Sequence, residues 1–149
     1  MKIIIGSDHL GVELKNKVIS YFKNKNIIID EVTVINHETD DYTDFAFEVG
    51  EKLKDYDFGI LICGNGIGMS IAANKVPGVF CARVLSEDDA FKCRNHNGAN
   101  VIALSSEIED KQTYKIIETF INTPYPTKER YLRRIYKMTE YERKNINGN

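Results

Sequence analysis

Apolar residues are arranged along this chain in two alternating patterns: short unbroken runs, and longer stretches where they return every three or four positions. Residues 2–5 form a run of mostly β-branched side chains that stops at Gly6, and behind it Leu10, Leu14, Val18 and Phe22 recur every four residues. A strand, a turn and an amphipathic helix are predicted. The alternation continues with strands predicted over 27–34, 58–63, 78–84 and 100–104, and helices over 44–53, 66–74, 86–94 and 110–121. Phe58-Gly59-Ile60-Leu61-Ile62 is apolar throughout, as expected of a strand covered by helices on both faces. The fold expected is α/β, a Rossmann-like three-layer α/β/α sandwich with a five-stranded parallel sheet. Pro124 and Pro126 then interrupt the chain, and an extra C-terminal helix is predicted over 127–144, with Leu132, Ile135 and Met138 along one side. That helix comes after the sheet is complete, so a dimer contact is its expected role. The tail, 145–149, is expected to fray.

A length of 149 residues with 42 % hydrophobic content suits one domain spanning 1–149. The 20 Lys and Arg against 22 Asp and Glu give no basic surplus, which speaks against nucleic acid or an anionic membrane as partner. The apolar run at the N-terminus is too short for a signal sequence, and no run of 18 apolar residues occurs, so a cytoplasmic location is expected. Cys63, Cys81 and Cys93 are odd in number and without metal-ligand spacing; reduced thiols are expected. His9, His37 and His96 lack the pairing of a zinc site, so no metal is expected either.

Candidate chemistry gathers at Cys63-Gly64-Asn65-Gly66-Ile67-Gly68, where a buried strand runs into a helix. In an open α/β sheet, ligands bind beyond the carboxyl ends of the strands, where the next helix presents free N–H groups. Glycines let the backbone turn tightly and approach an anion, and the same field favours a thiolate, a general base near neutral pH. A small buried cysteine followed by packing glycines is the equally weighted structural alternative. A dinucleotide fingerprint is excluded because its third glycine would fall on Met69, and a cysteine phosphatase loop because Met69 stands where the phosphate-binding arginine is needed. The Walker pattern also fails, for no Gly-Lys-Ser/Thr triplet follows. Asp8 and His9, just after the first strand, should reach the same sheet edge, although an aspartate there also suits a helix N-cap. His96 follows the fourth helix. Arg130 and Arg134, four apart on the last helix, emerge on one face and could grip a phosphate together, or form an ordinary solvated face.

These residues occur in an order that resembles ribose-5-phosphate isomerase of type B and the related galactose-6-phosphate isomerase subunits, across nearly the whole chain. The resemblance rests on Gly6-Ser7-Asp8-His9-Leu10-Gly11, on Thr39 to Ala46 containing Asp41-Tyr42, on Cys63 to Gly68 continuing through Ser70-Ile71-Ala72-Ala73-Asn74-Lys75, on His96-Asn97-Gly98-Ala99-Asn100-Val101, and on Arg130 and Arg134. It implies a homodimer or homotetramer with active sites shared between subunits, no cofactor, and interconversion of ribose 5-phosphate and ribulose 5-phosphate in the pentose phosphate pathway. It further implies that Cys63 moves a proton between C2 and C1, with the backbone amides of the stretch from Gly64 to Ser70, Gly66, Ile67 and Gly68 among them, stabilising the enediolate. His96 with Asp8 would open the sugar ring; His9, Arg130 and Arg134 would hold the phosphate; Tyr42 and Asn97 would contact the sugar. Three departures surround the substrate: Asn65 where Thr or Ser is usual and a proton shuttle is expected, Glu107 where an arginine is common, and Tyr131 where a histidine is frequent. They point to another sugar phosphate, such as allose 6-phosphate or galactose 6-phosphate, as the alternative substrate. A protein that binds sugar phosphates without catalysis is the alternative of a different class.

Overall fold

Five strands, β1 (Lys2–Ser7), β2 (Ile28–Glu31), β3 (Phe58–Cys63), β4 (Cys81–Arg83) and β5 (Val101–Ser105), form one parallel sheet in the order β2-β1-β3-β5-β4. The computed structural model describes residues 1–147. Six α-helices flank the sheet: α1 (Val12–Phe22), α2 (Tyr42–Lys52), α3 (Ile67–Ala73), α4 (Glu87–Asn95), α5 (Asp110–Asn122) and α6 (Glu129–Ile146). The expected three-layer arrangement is borne out, and its cause is visible residue by residue. Ile3, Ile5, Ile60 and Ile62 enter one apolar layer with side chains of α1, α4 and α5, whereas Ile4, Leu61 and Cys63 enter another with those of α2 and α3. Every residue of β3 is buried, as the unbroken apolar run requires.

The edge strands are shorter than their apolar runs. β2 ends at Glu31, after which Thr33 turns its N–H and hydroxyl to the Glu48 carboxylate on α2. β4 begins only at Cys81, because Gly78 takes a left-handed φ of 83° and Phe80 donates to the Asn100 side chain at 2.8 Å instead of to a strand. At the C-terminus α6 continues to Ile146, two residues beyond the predicted end, so Asn145 and Ile146 are helical where fraying is expected. Gly148 and Asn149 lie outside the described residues.

Candidate active site

Successive connections from β1 run to opposite sides of the sheet, which opens a crevice at the carboxyl ends of β1 and β3. The register pairs Ser7 with Ile62, so Asp8 and Cys63 are the next residues out, side by side at this crevice. Gly66 makes the turn after Cys63 with a φ of 80°, and its backbone lies so close to β5 that an added Cβ would stand 3.2 Å from the Ala103 carbonyl oxygen. That turn aims the Gly66 N–H at the Cys63 sulfur, 3.2 Å away, so the buried sulfur accepts one backbone hydrogen bond. Gly68 lets the Tyr42 ring lie against α3: an added Cβ would meet ring carbons at 2.5–2.8 Å.

Not every amide of the loop is open. Ile67 N–H donates to the Asn65 side-chain oxygen at 2.9 Å, and Ser70 N–H donates to the Gly66 carbonyl at 3.1 Å. The Ser70 hydroxyl lies against the Cys81 thiol of β4, a thiol that burial pushes up to about 12. Among the described residues, the N–H groups left without an internal partner are those of Gly64, Asn65, Gly68 and Met69. This corrects the expected amide set, in which Gly66, Ile67 and Ser70 were counted as free donors. Asn65, with its oxygen committed, presents only its NH₂ as a donor. The loop is held from outside as well: Arg83 Nε reaches across the end of β5 to the Asn65 carbonyl at 2.8 Å, and Ser105 Oγ donates to the Gly64 carbonyl at 2.7 Å.

Asp8 is buried and serves as the N-cap of the turn His9–Gly11, accepting from Leu10 N–H at 3.1 Å. Burial raises its pKa above the ordinary carboxylate value, against the lowering effect of that hydrogen bond. His9 is paired through Nδ1 to Asp40, and that hydrogen bond raises the imidazole above its usual range.

The remaining candidates stand elsewhere. His96 caps the C-terminus of α4, and Asn97 and Gly98 lead into the start of β5, at the amino ends of the strands. The His96 ring stacks on Tyr131 of α6, centroids 4.5 Å apart, and the Arg130 guanidinium lies 4.7 Å from the same Tyr131 ring and donates to its hydroxyl. Arg134 is exposed one turn further along α6. One chain therefore carries the candidates in two groups at opposite ends of its sheet: Asp8, His9, Tyr42 and the Cys63 loop at one, His96, Asn97, Arg130 and Arg134 at the other. An apolar groove of about 460 Å³ between β4 and α6, lined by Phe80, Cys81, Cys93 and Met138, has Asn97 in its lining but not Cys63.

The sequence profile described as ribose/galactose isomerase matches residues 3–138. The chain belongs to the ribose/galactose isomerase family. It is 42 % identical over 146 residues to the probable ribose-5-phosphate isomerase B of Mycoplasma genitalium, covering 95 % of each chain. The crystal structure of ribose-5-phosphate isomerase B from that organism with bound ribulose 5-phosphate superposes with a TM-score of 0.89 at 41 % identity, covering 95 % of this chain and 96 % of that one. Ribose-5-phosphate isomerase B from Clostridium thermocellum gives a TM-score of 0.91 at 36 % identity over 97 % of this chain and 99 % of that one. This ribose/galactose isomerase family member also carries site residues that sequence reading passes over, namely Asp40, Asn36 and Arg83. Arg83 reads as one residue inside the predicted strand 78–84, and Asp40 as one acidic residue among several in a polar loop. The sole advance signal is the Asn36/Asp40 pair, since Asn and Asp side chains commonly fold such loops onto the backbone.

Proposed function

We propose that this chain is a cytoplasmic, single-domain aldose-ketose isomerase that interconverts ribose 5-phosphate and ribulose 5-phosphate as a step of the pentose phosphate pathway. The observation that carries the reading is the Cys63 thiol at the mouth of an open amide cradle, at the strand crevice, in a member of this family. The Cys63 thiolate takes the proton from C2 of the open-chain aldose. Charge then develops on O1, where the free N–H groups of the loop and the Asn65 NH₂ stabilise it, a kind of contribution worth about 3–4 kcal/mol per donor. The proton on O2 passes to O1 through water, since Asn65 donates only and Ser70 is turned to Cys81. The thiol returns its proton to C1, giving the ketose.

Ring opening and phosphate binding need the second half-site, and the sheet lies between the halves within one chain. A second copy of the chain supplies His96, Asn97, Arg130 and Arg134 to the Cys63 loop of the first, in a homodimer or a tetramer built from it. Exposed apolar side chains support such a contact: Ile67 and Ile71 on the outer face of α3, Leu10 beside the loop, and Leu132, Tyr136 and Met138 on α6. Shared sites are tested by complementation. Cys63→Ala and His96→Ala are each expected to be inactive, and mixing them under exchange conditions restores about one quarter of wild-type sites, the statistical yield of a two-fold dimer. Solvent deuterium entering C1 of the product, and kcat/KM compared for ribose, allose and galactose phosphates, test reaction and substrate. A preference for a hexose phosphate would overturn the pentose reading.

A further inference from the structure

The loop ahead of α2 folds back onto the end of β1 through one carboxylate. Asp40 Oδ1 accepts from His9 N–H at 2.9 Å and from His9 Nδ1 at 2.6 Å, while Oδ2 accepts from Asn36 Nδ2 at 3.0 Å and His37 N–H at 3.2 Å. Asn36 is itself tied to the Ser7 carbonyl at 2.8 Å, which fixes the loop to the strand. The Asp40 side chain is 3 % exposed, yet among the described residues no Lys or Arg lies within ion-pair reach of it. A buried carboxylate with four donors stays ionised, and its charge needs a counter-charge. Burial would raise Asp40, but the bonds from Asn36, His9 and His37 outweigh it and hold the group at about 2.

His9 is the one group placed to supply that counter-charge. With Nδ1 donating to Asp40, Nε2 is on the far side of the ring, without a partner among the described residues, on a side chain 36 % exposed at the rim of the Cys63 crevice. We propose that Asp40 is a positioning residue that holds His9 in one orientation and in its cationic form, making Nε2–H a fixed donor for the substrate's phosphate. The proposal rests on the phosphosugar reading above. It gives the Cys63 half-site a phosphate-binding cation of its own, where the opposite half-site contributes Arg130 and Arg134. The charges acting on the ring are Asp40, from the loop ahead of α2, and Asp8, from the turn after β1, and both favour the cation. The other titratable groups at this sheet edge include His37, Glu38 and Asp41 in the same loop as Asp40, Cys63 ending β3, Tyr42 opening α2, Arg83 ending β4 and Glu107 beyond β5.

Asp40→Asn keeps the shape and the acceptor for His9 N–H but removes the charge. An ordinary imidazole, with a pKa near 6.5, is only about one-tenth protonated at pH 7.5. The expected result is a KM for ribose 5-phosphate raised about tenfold at pH 7.5 and near wild type at pH 6, with kcat within twofold at both. A KM that stays at the wild-type value at pH 7.5, or a fall in kcat at constant KM, would overturn the proposal, the second by making His9 a proton-transfer group. The His9 ring proton, assigned by its loss in His9→Gln, is followed by NMR titration of the wild-type protein, so the idea is tested even where Asp40→Asn does not fold. A midpoint at or below 6.5 refutes the ion pair. That titration needs no substrate, so it decides on Asp40 even if wild-type protein fails to isomerise ribose 5-phosphate and the functional reading falls on its own.

Discussion

Gly68→Ala is the substitution that most directly links packing to function in this molecule. The new methyl would stand 2.5 Å from Tyr42 Cζ and 2.7–2.8 Å from its two Cε atoms. Carbon contacts settle near 3.5–4.0 Å, so about 1 Å must be found. The α3 backbone does not give, because Met69, Ala72 and Ala73 anchor it in the core, whereas the Tyr42 ring is 40 % exposed and can swing to solvent. Full burial of a large side chain is worth about 1.5–3 kcal/mol, so a ring already part-exposed loses about 1–1.5 kcal/mol. Replacing glycine by alanine in a helix returns up to about 1 kcal/mol. The net change in stability is therefore small, about 0–1.5 kcal/mol, or at most about 6 °C in Tm for a chain of this size. Activity changes far more, because Tyr42 has left the cradle: KM is expected to rise about tenfold. A double-mutant cycle isolates the contact. Tyr42→Ala costs about 1–1.5 kcal/mol in the wild-type background and close to nothing beside Gly68→Ala, measured by chemical denaturation. Zero coupling together with a wild-type KM for Gly68→Ala would refute the placement of Tyr42 on α3.

Cys63→Ser keeps an acceptor for the Gly66 N–H and is expected to retain the fold while losing about 10²–10⁴ in kcat, measured with ribose 5-phosphate, the range for a general base; activity above a few per cent would assign the base elsewhere. Gly66→Ala combines left-handed strain of about 1–2 kcal/mol with a contact against β5 backbone that does not yield. It is expected to cost about 2–3 kcal/mol, read as a Tm about 4–12 °C lower by calorimetry. For Asp8 the sign follows from its raised pKa: the folded state binds the proton more readily than the unfolded chain, so this group favours folding at low pH and loses that contribution as pH rises from 3.8 through the raised value. Asp8→Asn, which still accepts from Leu10 N–H, is thus expected to raise Tm at pH 7 while slowing turnover of the ring-closed sugar. Asp40 has the opposite sign: its folded pKa of about 2 contributes stability above 3.8 that is lost as pH falls toward 2, so Asp40→Asn should be less stable at neutral pH and, relative to its own neutral stability, lose less than the wild type between pH 3.8 and 2.

What the sequence makes legible is whatever depends on neighbours along the chain. The apolar run of β3 and the glycines behind Cys63 specify a buried strand, a tight turn and a helix start, and all three are found. The ends of β2 and β4 are not legible, because these edge strands stop where side chains distant in sequence, Glu48 and Asn100, take over backbone N–H groups. Arg83 escapes notice for a related reason. Its reach to the Asn65 carbonyl exists only because β5 is inserted between β3 and β4, and strand order is absent from local periodicity. Asp40 has no periodic signature at all; its role appears when a polar loop closes on a strand end 31 residues earlier.

Strand direction also determines how the two half-sites are related. In a parallel sheet every crossover returns from the carboxyl to the amino edge, so a residue just after a strand and a residue just after the following helix are separated by the length of that strand. Cys63 is of the first kind and His96 of the second. No loop rearrangement short of unfolding α4 would bring them together in one chain. Under the proposed function the two groups can act in one site only across two copies of the chain, and catalysis is then expected to depend on association as strictly as on the thiol itself. The stack of His96 on Tyr131, with Arg130 beside it, already holds this second group together within one chain. Pre-ordered groups lose less entropy when the halves meet, which lets a modest contact between copies complete the site.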